Sequence, residues 1–114
     1  MVRTSLPFVG TYQGVLSALG DQQRLRIVEL LATAPASVGD LAQKLPISRP
    51  AVSQHLRILQ AQDLVSYRPV GTRNVYRIEP SGLAALRDWL DDIWPAAFDS
   101  FVRYAHRAEG GKVI

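Results

Sequence analysis

The segment Ser37–Gln62, SVGDLAQKLPISRPAVSQHLRILQAQ, constrains the fold of this chain more than any other stretch. It carries two helix starts separated by a stop. Ser37 is a favourable N-cap, and Asp40 three residues on gives a capping-box-like beginning. Leu41, Ala42 and Leu45 form the apolar stripe of the first helix, and Pro46 stops it. Ser48 then caps a second helix near residues 49–62, with Pro50 in its first turn, where a missing N–H costs nothing. Val52, Leu56 and Leu59 recur at helical spacing and are expected to face the first helix.

The opposite face of the second helix carries Arg49, Pro50, Ser53, Gln54 and Arg57 and no acid. Short or hydrogen-bonding side chains beside positive charge suit a helix lying in a DNA major groove, where base edges offer donors and acceptors next to a polyanionic backbone. The pattern predicts a helix-turn-helix whose second helix reads DNA. Gln54 matches adenine N6/N7, and Arg57 matches guanine or phosphate. His55 adjoins the buried Leu56 and is expected to hydrogen-bond a phosphate or to support the neighbouring helix rather than read a base.

Several stretches together resemble the ArsR/SmtB family of bacterial winged-helix transcriptional repressors. They are Leu19-Gly20-Asp21 with Arg24-Leu25-Arg26-Ile27-Val28 and Leu31, then Ser48–Leu56 with Leu59 and Asp63-Leu64-Val65, then Gly71–Ile78. The resemblance spans roughly residues 12–100, in the family's order. Where the family usually has proline and threonine or serine after the aspartate, this chain has Gln22 and Gln23.

Around that segment, Thr11–Leu19 reads as a short helix weakened by Gly14. Asp21 caps another, from Gln22 to about Thr33, with Leu25, Ile27, Val28, Leu30 and Leu31 as its apolar face. Ala34–Ala36 reads as a loop. Leu64–Arg68 and Asn74–Ile78 alternate as strands do. The link Pro69–Arg73 has hairpin turn chemistry, with Gly71 free to take positive φ. A hairpin after a recognition helix is a wing. Arg73 at its tip is the foremost candidate for minor-groove or backbone contact, with Thr72, Asn74 and Arg68 assisting.

Pro80 and Ser81 open a long final helix that Pro95 must kink or divide. The expected fold is mainly α with a small β-hairpin (α+β), a winged helix-turn-helix of order α-α-α-α-β-β-α. Residues 1–114 form one domain, with 1–10 and 108–114 flexible. The last helix carries more apolar surface than one stripe of a monomer needs. The resemblance implies a homodimer through the terminal helices, and two recognition helices ~34 Å apart suit a two-fold operator. The alternative is that Trp89, Trp94, Phe98 and Phe101 pack inside one subunit.

Charge supports the DNA reading. The formal net charge is +3, yet Lys44 to Arg77 holds six basic residues against Asp63, a local +5, whereas Asp88 to Asp99 holds four acids and no base. A basic patch coinciding with the reading elements is the footprint of a DNA-facing surface.

Other chemistry finds little support. The sequence contains no cysteine, which excludes disulfides and thiolate metal sites. Metal-sensing relatives use cysteines or paired Asp-x-His and His-x-x-Glu/His motifs. His106-Arg107-Ala108-Glu109 supplies half of the second pattern and no Asp-x-His stands upstream, so no metal or other cofactor is expected. No glycine-rich phosphate loop and no nucleophile with its base is present, so no enzyme is expected. The N-terminus is too short for a signal-peptide core and no stretch is long enough to span a membrane, so the cytoplasm is the expected location. The sequence is silent on a small-molecule effector between the last helix and the core. The main reading is a homodimeric repressor that binds double-stranded operator DNA. A winged-helix protein-interaction module or accessory subunit without specific DNA binding is the alternative.

Overall fold

The computed structural model describes residues 11–113, with side chains through residue 108; the segment 1–10, expected to be irregular, lies outside the described residues. Helix α1 (Tyr12–Leu19) starts at Thr11, whose side chain accepts from the Gly14 N–H, and α2 (Gln22–Thr33) starts at Asp21. The Asp21 carboxylate accepts from the N–H groups of Gln23 at 2.8 Å and Arg24 at 3.1 Å. Replacement of the usual residues by Gln22 and Gln23 thus leaves the cap intact.

A two-residue strand β1 (Ala36–Ser37) follows, where the sequence suggested only a loop. Ser37 then caps the short helix α3 (Val38–Ala42) in a full capping box with Asp40. This helix ends before Leu45, so Leu45 reaches the core from the turn rather than from a helical stripe. Helix α4 (Arg49–Ala61) begins at the Ser48 cap with Pro50 in its first turn, as its sequence dictates.

The wing consists of β2 (Val65–Val70) and β3 (Arg73–Ile78). Both strands run longer than expected: Pro69, Val70 and Arg73 belong to them, and only Gly71 and Thr72 form the turn, with Gly71 at φ +63°. Pro69 is accommodated because β2 is the outer strand in the order β1-β3-β2. The closing pair is Val70 with Arg73, so Pro69 opposite Asn74 falls at a position whose N–H would point away from the partner. The added strand β1 pairs with β3, Ser37 opposite Val75, and ties the start of α3 to the wing.

A 3-10 turn (Pro80–Leu83) precedes α5 (Ala84–Val113). Pro95 does not divide α5, which is one continuous helix. Its backbone is helical to Val113.

The core lies where α4 meets α1, α2 and α3. Val15, Ile27, Leu41, Val52, Leu56, Leu59 and Val65 are essentially without solvent contact. Each such aliphatic side chain contributes about 1.5–3 kcal/mol by leaving water. Leu25, part of the expected apolar face of α2, stays partly exposed at 44%, as does Leu16 of α1 at 43%.

One close approach joins the reading helix to the long helix. The Gly82 N–H donates to the Asp63 carbonyl at 2.9 Å. A Cβ at Gly82 would stand 2.3 Å from the carbonyl oxygens of both Gln62 and Asp63, closer than any side chain tolerates. Only glycine lets the turn before α5 lie against the end of α4.

Two outcomes are expected. Gly82→Ala lowers unfolding stability in urea by about 1–3 kcal/mol, because one element must move off the other. Acid should also weaken the fold through its caps. Hydrogen bonds from the Arg24 and Gln23 N–H groups, aided by the nearby charges of Arg24 and His55, hold the Asp21 carboxyl below its ordinary 3.8. The Ser37 backbone and hydroxyl, then the charges of Arg73 and Lys44, do the same for Asp40. A lowered folded pKa gives stability that is complete above the unfolded value and disappears as pH falls through the folded one. Urea midpoints should therefore drop below about pH 4, and Asp21→Asn should flatten that dependence.

Candidate nucleic-acid interface

The apolar side of α4 is sealed against the core, which turns Arg49, Pro50, Gln54 and Arg57 outward as exposed residues, with Ser53 half-buried beside them. No residue of α4 carries a carboxylate. The Arg57 guanidinium donates to the Gln54 side-chain oxygen one turn earlier. The two side chains proposed to read bases therefore form a bonded pair, each restricting the other.

His55 takes a different position from these four. Its Nδ1 accepts from the Arg24 guanidinium at 3.3 Å and stands 4.0 Å from the Asp21 carboxylate. Arg24 itself donates through Nε to the Ala18 carbonyl at 2.7 Å, and through Nη2 to that of Ser17 at 3.5 Å. Of its two expected roles, His55 is positioned for support: it ties α4 to the junction of α1 and α2. The Nδ1 side of the ring is engaged by Arg24, and the side chain is about one-fifth exposed at 19%. Arg24 is the centre of this junction.

The wing brings a second group to the same side. Thr72, Arg73 and Asn74 are exposed at its tip, and with Arg49, Gly39 and Asp40 they border an open cleft of about 380 Å³ between the wing, α3 and the start of α4. Arg49 Nη2 lies 2.8 Å from the point a Gly39 Cβ would occupy, so the bare glycine backbone gives the guanidinium its resting place. Arg73 Nη1 donates to the Ser37 hydroxyl at 3.5 Å and pairs with Asp40 at 3.7 Å. Arg68 is exposed on β2, away from the turn and opposite Val75.

Sequence reasoning overlooked Tyr67 and Tyr76. They face each other across the wing with ring centroids 5.2 Å apart. Burial raises the Tyr76 phenol, followed by Tyr67, while Arg57 opposes the shift. The alternating pattern of both strands was visible, but the register that opposes these tyrosines depends on the two-residue turn.

Two further features bear on the function. Among the described residues, no three His, Cys, Asp or Glu side chains are grouped to hold a metal ion, and no helix is long and apolar enough to cross a membrane.

Residues 21–67, from the cap of α2 to the first wing strand, match the model of the bacterial regulatory proteins of the arsR family. The chain is 54% identical over 86 residues to the HTH-type transcriptional regulator Rv2034 of Mycobacterium tuberculosis, covering 75% of this chain and 80% of that one. It is 53% identical over 60 residues to the transcriptional repressor SmtB homolog of Synechocystis, covering 53% and 45% of the two chains. Among solved structures, an ArsR-like transcriptional regulator from Rhodococcus superposes with a TM-score of 0.67 at 33% identity, covering 85% of this chain and 91% of that one. A winged helix-turn-helix with an acid-free outward face, matched in sequence and in fold to these regulators, belongs to the arsR family of bacterial regulatory proteins and is a helix-turn-helix transcriptional regulator.

Proposed function

We propose that the chain is a homodimeric repressor that binds operator DNA in the bacterial cytoplasm, with α4 in the major groove and the tip of the wing at the flanking minor groove or backbone. The observation that carries this reading is the outward face of α4, in which Arg49, Gln54 and Arg57 stand exposed without a neighbouring acid on the helix. Its sign as a repressor draws on the family resemblance and on the Synechocystis relative, which is named a repressor. Gln54 and Arg57 are assigned to base edges, and Arg49, Arg68, Thr72, Arg73 and Asn74 to phosphates or the minor groove. Pro50 and Ser53 are assigned to close van der Waals and hydroxyl contact in the groove. With no cysteine in the sequence, release from DNA does not run through a thiolate metal site.

The dimer rests on α5. Leu90, Ile93, Trp94, Phe98, Phe101 and Tyr104 are all exposed on the single chain, Phe101 at 64% and Tyr104 at 67%. Trp89 stacks on Tyr12 of α1 with centroids 4.7 Å apart, so the two terminal helices already share an aromatic contact. An apolar face of this kind marks an interaction surface, and a second copy joined through it would present two reading helices by symmetry.

Mobility shifts on specific and random duplexes test the reading. Arg57→Ala or Gln54→Ala should weaken operator binding by about 1–3 kcal/mol and leave melting temperature near wild type. His55→Ala should instead lower melting temperature, because it removes a junction rather than a DNA contact. Phe98→Asp with Phe101→Asp should give monomers in sedimentation and a large loss of operator affinity. Wild-type protein that ignores duplex DNA in dilute buffer would overturn the proposal.

A further inference from the structure

The wing cleft contains one carboxylate among its cations. Arg49 borders it from α4, Arg73 from the wing and Asp40 from α3. The two oxygens of Asp40 serve different partners. Oδ2 accepts from the Ser37 N–H at 3.2 Å, completing the capping box, while Oδ1 stands 3.7 Å from Arg73 Nη1. The cap requires an acceptor there, and an amide oxygen still supplies one, though a weaker one than a carboxylate. The negative charge is shared between the Ser37 cap and Arg73.

Both partners are about half exposed, so they exchange readily. Hydrogen bonds from Ser37 hold the Asp40 carboxyl below its ordinary value, in favour of the charged form. A phosphate reaching Arg73 would have to take the place of the carboxylate, and the carboxylate would then lie beside a polyanion.

On the reading of the wing as a DNA contact, we propose that Asp40 sets the affinity of the protein for the DNA backbone by holding Arg73 in the cleft until a phosphate displaces it. Asp40 is a positioning residue acting through Arg73. It restrains the share of sequence-independent binding that the wing supplies.

A double-mutant cycle on the full chain decides the matter. Wild type, Asp40→Asn, Arg73→Ala and the double variant are titrated against a labelled random-sequence duplex across a salt series, with anisotropy as the readout. Asp40→Asn should tighten binding roughly three- to tenfold at low salt. In the Arg73→Ala background the same change should have almost no effect. Asp40→Ser removes the same charge without the amide, so a failure of one variant to fold leaves the other to decide. Asp63→Asn neutralises an acid at the far end of α4 and should leave affinity unchanged. The proposal is overturned if Asp40→Asn binds like wild type, if it tightens binding equally without Arg73, or if Asp63→Asn tightens it as much. Absence of duplex binding by every variant and by wild type would overturn the DNA reading itself, and this inference with it.

Discussion

Val52, Leu56 and Leu59 on α4 leave no surface to solvent, and every functional feature depends on that burial. They lie at three- and four-residue spacing, so sealing them against the core fixes the rotation of the helix about its axis. With the rotation fixed, Arg49, Gln54 and Arg57 have one direction available, outward. A polar substitution at any of the three would free the helix to turn and scatter the reading face, even with every candidate contact residue unchanged.

Around this seal the fold adds three ties, each to a different part of α4. Ser48 and Pro50 set where it begins. His55, held by Arg24 and standing near Asp21, fastens its middle to the junction of α1 and α2. Gly82 fastens its end to the turn before α5. The last tie has mechanical meaning. The turn that leads into α5 and the end of α4 meet at a contact that admits no side chain, so neither can shift towards the other.

The wing is joined to the same body by backbone. Strand β1 places Ser37 beside Val75, and Ser37 is also the cap of α3 and an acceptor for Arg73. One buried serine thus links the sheet, the first helix of the helix-turn-helix and the basic tip. The mild +3 charge of the chain acquires direction through this arrangement: Arg49 and Arg73 border a common cleft, while the acids at Asp88, Asp91 and Asp92 remain on α5.

The amino-acid sequence alone determined the features that depend on neighbours along the chain. The caps at Asp21, Ser37 and Ser48, the span of α2 and α4, the hairpin and the outward polar face all follow from local hydrogen bonding and side-chain periodicity. Tertiary structure decided whatever needed a distant partner. Strand β1 exists because β3 offers it an edge, and Pro69 enters a strand because its missing donor falls on the outer side. His55 supports the junction of α1 and α2 because Arg24, thirty-one residues away, reaches its Nδ1. Asp40 looked like a cap and nothing more until the wing brought Arg73 beside it. Local patterns fix which elements form and which face is polar, but the partner of a charged side chain is chosen by the packing of elements far apart in the chain.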